Sequence, residues 1–130
     1  IFLIVWFFVV YNVAKGDRMQ DTKSLGNHNE DIATRFLIQK GFLIVERNFY
    51  ARKLGEIDII AQKDGVLHFI EVKSSRGSFD PIYNITPSKM HKLINSAHYY
   101  LKTKRLDMAF CIDALIIRGS DIELIENITL

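Results

Sequence analysis

The strongest constraint on the fold is the stretch GEIDIIAQKDGVLHFIEVK at residues 55–73, in which two apolar runs flank Asp64 and Gly65. Asp-Gly between apolar runs is a strong signal for a two-residue hairpin turn. With these two residues as the loop, Lys63 pairs with Val66 and the rest of the register follows. The stretch therefore predicts an antiparallel β-hairpin, and a three-residue loop would shift every pair by one.

Four charged residues interrupt the apolar pattern of this hairpin. The predicted register places Asp58 opposite Glu71 and Glu56 opposite Lys73. Because side chains alternate along a strand, all four groups share one face. Two opposed carboxylates repel each other unless a proton, a cation or a lysine compensates their charge. Two surface salt bridges on a half-exposed sheet are the simpler interpretation of the same pattern.

The charged face suits metal-assisted hydrolysis of a phosphodiester bond. Mg²⁺ takes oxygen ligands and commonly uses one or two carboxylates with waters and substrate phosphate. Lys73 can hold an attacking water or stabilise charge in the transition state. Glu30 precedes Ala33 by three residues on a predicted helix and so points toward the sheet, where it either caps the helix or completes the metal shell. The predicted ligands of Mg²⁺ or Mn²⁺ are Asp58, Glu71 and Glu30.

The other segments predict a mixed α/β domain. Residues 27–41 are helical in pattern, with Asn27 or Asn29 as cap, and residues 86–102 form a second helix that Thr86 caps. Strands are predicted at 42–50, 56–62, 66–73, 108–118 and 121–130. The order of helix, three strands, helix and two strands indicates a mixed sheet.

Positive charge is concentrated in one part of the chain. Residues 40–105 contain twelve Lys and Arg against six acids, whereas residues 106–130 contain one Arg against five acids. A local basic excess is expected of a face that meets a polyanion, although a solvated surface has the same composition. The second predicted helix carries a polar stripe that suits a nucleic-acid backbone, formed by Lys89, Lys92, Ser96 and Tyr99.

The chain has one cysteine, Cys111, which excludes an internal disulfide and any zinc site built from several cysteines. A reducing compartment fits this composition, so we expect a cytoplasmic location. Cys111 stands in an apolar run and is interpreted as a small core residue.

Residues 1–14, IFLIVWFFVVYNVA, differ from the rest of the chain. Their eleven unbroken apolar residues are fewer than the roughly 17–25 that a membrane span needs. No basic region precedes them, as a complete secretory signal would require. A misassigned start, with Met19 as the true first residue, is the favoured interpretation, and a truncated membrane anchor is the alternative. We expect residues 1–18 to lie outside the fold and residues 19–130 to form one domain.

The chain resembles the YraN family over about residues 25–117. LGNHNEDIATRFLIQKGFLIVERNFYARKLGEIDIIAQKDGVLHFIEVKSS is similar to the start of that family, SKMHKLINSAHYYL to its second helix and FCIDALII to its late strand. GEID followed by EVK, with ERN upstream, is the specific part of the pattern. These proteins are predicted nucleases, and the resemblance implies a restriction-endonuclease-like, Holliday-junction-resolvase-like fold.

The resemblance also implies roles for individual residues. Asp58, Glu71 and Lys73 match the catalytic motif, and Glu30 matches the helix glutamate that assists the metal. Asn95 and Tyr99 fall where resolvase-like relatives have a Gln and a Tyr, and Asp113 falls on the expected acid of the late strand. The expected supporting residues are Glu56, Asn95 and Asp113. The expected nucleic-acid contacts are Arg47, Arg52, Lys53, Arg76, Lys89, Lys92 and Tyr99.

These observations predict a Mg²⁺-dependent endonuclease that acts on nucleic acid, with DNA favoured over RNA and with branched or damaged DNA as candidate substrates. Resolvase-like chemistry on a symmetric junction would need a homodimer. One alternative is a nucleic-acid-binding module or processing adaptor without catalysis. Another is a membrane-tethered interaction domain, which rests on residues 1–14 alone. The intact acids and lysine favour the enzyme, because a degenerate relative would more often have lost one of them.

Overall fold

The computed structural model describes residues 25–75 and 81–129. The elements in chain order are α1 (Leu25–Gln39), β1 (Leu43–Tyr50), a 3₁₀ turn (Arg52–Leu54), β2 (Glu56–Lys63), β3 (Val66–Ser75), a second 3₁₀ turn (Pro81–Asn84), α2 (Pro87–Thr103), β4 (Phe110–Arg118) and β5 (Asp121–Ile125). The predicted order of helices and strands is confirmed. The predictions for residues 1–18, for Met19 and for Arg76 lie outside the described residues. Neither α1 nor α2 combines the length and apolarity that a membrane-spanning helix needs.

The five strands form one mixed sheet in the order β1-β2-β3-β4-β5. Neighbouring strands are antiparallel except β3 and β4, which are parallel. Two parallel neighbours require a crossover of a dozen or more residues, and the segment containing α2 supplies it. The mixed α/β architecture predicted from the sequence is therefore confirmed.

The β2–β3 hairpin has the predicted register between Lys63–Val66 and Ile59–Ile70, whereas the predicted pairs Asp58–Glu71 and Glu56–Lys73 are not among its described pairs. Lys63 pairs with Val66, and the pairing continues without a shift to Ile59 and Ile70. Both turn residues, Asp64 and Gly65, have positive φ angles of 51° and 77°, as a type I′ turn requires. The hairpin is thus determined by its turn, because no other loop length gives these pairs.

Each face of the sheet packs against one helix. The cluster on the α1 side consists of Ala33, Leu37, Phe42, Ile44, Ile59, Ala61, Ile70, Leu115 and Ile117. The cluster on the α2 side consists of Val45, Ile57, Ile60, Leu67, Phe69, Leu93, Ala97, Tyr100 and Ile112. Side chains of β3 alternate between these clusters, so Glu71 and Lys73 point to the same side as Phe69.

The start of α2 matches its prediction and the start of α1 does not. Pro87 opens α2, and Thr86 Oγ1 accepts a hydrogen bond from the Lys89 amide at 3.2 Å. α1 already includes Leu25, so Asn27 and Asn29 lie inside the helix and neither can be its cap. An Asn followed by acidic residues resembles a cap signal, but the helix begins before both asparagines.

Two further predictions are wrong in part. Ser96 is 1% exposed, and Tyr99 lies half-buried with its ring 6.1 Å from that of Phe49. The polar stripe of α2 is therefore partly covered, because the helix contacts the first 3₁₀ turn as well as the sheet. β5 ends at Ile125 rather than at residue 130. Beyond it, the backbone amide of Ile128 donates a hydrogen bond to the carbonyl of Ile112 on β4.

Gly55 positions the start of β2 and tolerates no side chain without strain. Its φ of 138° and ψ of −160° lie in a region that essentially only glycine adopts. A Cβ atom there would make only an ordinary contact with Ser96 Oγ at 3.5 Å, so the constraint lies in the backbone conformation. We expect Gly55→Ala to lower the free energy of unfolding, measured by urea denaturation, by about 1–3 kcal/mol.

Gly65→Asn is the matched control for this substitution. Gly65 has a φ of 77°, and a Cβ atom there would meet no atom within 4 Å. Asn tolerates left-handed turn positions, so the loss should stay below about 1 kcal/mol. Equal losses for the two variants would show that the backbone of Gly55 is not constrained in this way.

Candidate functional site

A polar cleft of about 410 Å³ opens where β2 begins and β3 ends. Its lining residues come from α1, β2, β3 and the second 3₁₀ turn. They are Asn29, Glu30, Asp58, Glu71, Val72, Lys73, Ser74 and Asn84. The cleft thus contains every residue that the sequence analysis assigned to catalysis.

Asp58 is held at the point where the hairpin ladder stops. The described β2–β3 pairs end at Ile59 and Ile70, and beyond them the Asp58 carboxylate accepts a hydrogen bond from the Val72 amide at 2.8 Å. Burial, and then repulsion from Glu71, raises the pKa of Asp58 to about 7, although the Val72 bond opposes this. Two neighbouring carboxylates that repel each other in this way favour the binding of a cation between them.

Lys73 lies between an acid and a second lysine. Its Nζ is 3.1 Å from Glu71 Oε1. Burial lowers the pKa of Lys73, but the neighbouring Lys89 amine and the attraction of Glu71 outweigh it, so that the pKa rises overall. The proximity of Lys73 is the main reason why the pKa of Lys89 is lowered. Lys89, predicted only as a phosphate contact, therefore lies beside Lys73.

Glu30 reaches the cleft from α1 and is 9% exposed. Burial raises the pKa of Glu30, while a hydrogen bond from Asn48 and the charge of Arg47 oppose the rise. Its Oε2 has no hydrogen-bond partner among the described residues and lies 3.8 Å from Arg47 Nη2. A buried carboxylate oxygen with unused acceptor capacity fits a hard divalent cation. The acids of the cleft therefore suit Mg²⁺ or Mn²⁺.

The sequence analysis did not predict the polar contact that joins α1 to the end of β3. Asn29 Nδ2 donates to Ser74 Oγ at 2.8 Å, across 45 positions of the chain. Asn84 lines the same cleft from the second 3₁₀ turn. Asn29 was interpreted as a helix cap, and no local pattern links it to Ser74, because the contact depends on how α1 crosses the sheet.

The basic residues predicted to contact nucleic acid differ in their surroundings. Arg47 is paired with Asp31 at 2.8 Å, so its charge is already partly compensated. Arg52 and Lys53 are exposed on the first 3₁₀ turn, and Lys92 is exposed on α2. Three of these side chains are thus accessible to a phosphate backbone.

The predicted supporting residues lie outside the cleft lining. Glu56 is exposed and pairs with Tyr50 on β1, so Lys73 forms its ion pair with Glu71 instead. Asn95 is half-buried on α2. Asp113 is fully buried and pairs in register with Ile70, whose side chain belongs to the cluster on the α1 side of the sheet.

The raised pKa of Asp58 predicts how stability changes with pH in metal-free protein. The folded state binds this proton more tightly than the unfolded chain, so stability falls as pH rises from about 3.8 to about 7. Asp58→Asn should flatten that fall and raise the free energy of unfolding at pH 8 by about 1–2 kcal/mol. Urea denaturation at several pH values, with chelator present, measures both effects.

Asp121→Asn, at an exposed position on β5, is the control for this measurement. It should leave the pH profile of the wild type unchanged. Parallel profiles for wild type and Asp58→Asn would mean that Asp58 does not carry the pH dependence.

Comparison with known proteins identifies relatives over most of the chain. The model of a family described as "Uncharacterised protein family UPF0102" matches residues 29–117. A UPF0102 protein of Sulfurovum sp. (strain NBC37-1) is 65% identical over 108 residues, which cover 83% of this chain and 96% of the relative. A UPF0102 protein of Wolinella succinogenes is 57% identical over 109 residues, which cover 84% of this chain and 99% of the relative. A UPF0102 protein of Helicobacter pylori (strain HPAG1) is 55% identical over 107 residues, which cover 82% of this chain and 92% of the relative.

Proposed function

The chain belongs to the uncharacterised protein family UPF0102, the YraN family that its motifs resemble, and we propose that it is a divalent-metal-dependent endonuclease that hydrolyses phosphodiester bonds in DNA. The description of the family states no activity, so the proposal rests on the residues and geometry of the cleft. The observation that carries the proposal is the convergence of Glu30, Asp58, Glu71 and Lys73 in one cleft.

Three acids are the proposed ligands of the cation. The Val72 amide orients the Asp58 carboxylate, Glu71 lies close enough to raise the pKa of Asp58, and Glu30 offers a buried oxygen. When bound, a Mg²⁺ or Mn²⁺ ion supplies a Lewis acid for the phosphate and lowers the pKa of a bound water. The acids thus bind the ion and orient it in the cleft.

Lys73 and Lys89 provide positive charge beside the acids. The Lys73 ammonium, placed by its contact with Glu71, can orient a water molecule or stabilise negative charge that develops on the phosphate. Lys89 is exposed and lies next to Lys73. It is therefore placed to contact a phosphate of the DNA backbone next to the one that is cleaved. This arrangement favours a nuclease over a site that only binds a metal.

The exposed basic residues support DNA as the substrate. Arg52 and Lys53 extend from the first 3₁₀ turn, which α2 contacts, and Lys92 is exposed on α2 itself. Basic side chains in this arrangement suit the phosphate backbone, whose contacts weaken steeply with salt. A restriction-endonuclease-like fold, implied by the resemblance and consistent with the order of the elements, belongs to the same proposal. Action on a symmetric junction would in addition require a homodimer.

A substrate panel tests the proposed function. Plasmid, single-stranded, flapped and four-way DNA, together with matched RNA, are incubated with Mg²⁺ or Mn²⁺ and with wild type, Asp58→Asn or Glu71→Gln. We expect metal-dependent cleavage of DNA by the wild type and none by either variant. Binding of DNA without cleavage under both metals would contradict the enzyme and support a nucleic-acid-binding module instead.

A further inference from the structure

A second group of metal-ligand side chains lies away from the cleft, among residues of β3 and β4. His68 Nδ1, Cys111 Sγ and a carboxylate oxygen of Asp113 are all within 4.8 Å of one another. His68 and Cys111 are register partners on the two parallel strands. The nitrogen is 2.5 Å from Asp113 Oδ2 and 3.1 Å from Cys111 Sγ.

This geometry does not match that of a nucleophilic cysteine. A Cys-His-Asp triad uses one imidazole nitrogen for the thiol and the other for the carboxylate. Here both partners contact the same Nδ1 atom, so the imidazole cannot connect them. Three potential ligand atoms instead converge on one point.

From this convergence we propose that His68, Cys111 and Asp113 bind one zinc-class divalent cation, such as Zn²⁺ or Co²⁺. Thiolate, imidazole and carboxylate are the ligands that Zn²⁺ uses in proteins, and three of them leave a fourth position for water. Tetrahedral bonds of about 2.0–2.3 Å separate ligand atoms by roughly 3.3–3.6 Å. The contacts of His68 Nδ1 with Asp113 Oδ2 and Cys111 Sγ are shorter than this, so these atoms have to move apart by about 1 Å or less.

The surroundings of the cluster support binding of a cation. The Phe42 ring stands edge-on to His68 with centroids 4.9 Å apart and so limits rotation of the imidazole. The backbone amide of Asn127 donates a hydrogen bond to Asp113 Oδ1 at 2.9 Å, which leaves Oδ2 for the metal. Such contacts hold ligands in place at metal sites. Cys111 is only partly buried, which provides an entry route.

The single cysteine makes the test specific. Because the chain has one Cys, a thiolate-to-cobalt charge-transfer band can come from Cys111 alone. We expect reduced, tag-free full-length protein to bind one equivalent of Co²⁺ with this near-ultraviolet band and with the intense visible bands of tetrahedral cobalt. Zn²⁺ should displace the Co²⁺, whereas Mg²⁺ should not.

Three variants separate this site from the cleft. Cys111→Ser should abolish the charge-transfer band, and His68→Gln should weaken Co²⁺ binding about tenfold or more. Asp58→Asn should leave the spectrum unchanged. If Cys111→Ser fails to fold, the rise in Tm caused by Zn²⁺ is compared instead, and it should be present in wild type and absent in His68→Gln.

Two results would overturn the proposal. One is a weak octahedral cobalt spectrum without the charge-transfer band, which would place the ion on the carboxylates of the cleft. The other is no cobalt spectrum at saturating metal. DNA cleavage with Mg²⁺ is measured separately with the substrate panel, so failure of this site is distinguishable from failure of the proposed nuclease.

Discussion

Lys73→Met is expected to reduce the rate of metal-dependent DNA cleavage about 10²–10³-fold, the effect typical of removing one group that stabilises transition-state charge. Met has a similar length and no charge, so the change removes the ammonium that lies 3.1 Å from Glu71. Single-turnover rates on the best substrate of the panel, at saturating Mg²⁺, measure the loss.

The control for Lys73→Met is Lys92→Met, at an exposed lysine on α2. It should weaken DNA binding and reduce the slope of log affinity against log salt by about one, as loss of one phosphate contact predicts. Its single-turnover rate at saturating DNA should stay within about threefold of the wild type, since Lys92 is assigned only to binding. Wild-type cleavage by Lys73→Met would contradict the assigned role, and equal loss of rate in both variants would show that the two lysines do not differ in function.

Asp113→Ala is expected to lower the free energy of unfolding by about 3–5 kcal/mol, because removing one member of a buried pair leaves the other without compensation. Asp113 is fully buried. Its two carboxylate oxygens contact His68 Nδ1 and the Asn127 amide. Urea denaturation of metal-free protein at pH 7 measures the change.

Glu123→Ala is the matched control for Asp113→Ala. Glu123 lies on the neighbouring strand β5 and pairs with Arg118 at 2.8 Å, but its side chain is 56% exposed. Exposed ion pairs contribute little, so the loss should remain below about 1 kcal/mol. Similar losses for the two variants would contradict a structural role for the buried pair.

Local signals were sufficient for some parts of the fold. The Asp64-Gly65 turn predicted the register from Lys63–Val66 onward, and Thr86 with Pro87 predicted the start of α2. These features depend on neighbours in the chain, whose conformations restrict one another directly. The predicted start of α1 and the predicted end of β5 were wrong, and the residues after β5 bond to β4, a contact that no local pattern specifies.

The chemistry of the candidate site was predicted from the sequence, but its composition was not predicted completely. Asp58, Glu71 and Lys73 were identified because they interrupt apolar strands at alternating positions. The contact between Lys73 and Lys89 was missed, since Lys89 was assigned to the solvent side of α2. Helical spacing indicates which face of a helix is apolar, and it does not indicate what lies beside the first turn of that helix.

The sequence by itself determined the hairpin and its register as far as Ile59–Ile70, next to the acids Asp58 and Glu71, because a two-residue turn allows one register. Only the tertiary structure decided that Glu30 reaches these acids, and that Asp113 lies beside His68 and not in the cleft. The physical reason is that these positions depend on how α1 crosses the sheet and on which strands are parallel neighbours. Both result from packing between residues far apart in the chain, such as the 45 positions between His68 and Asp113.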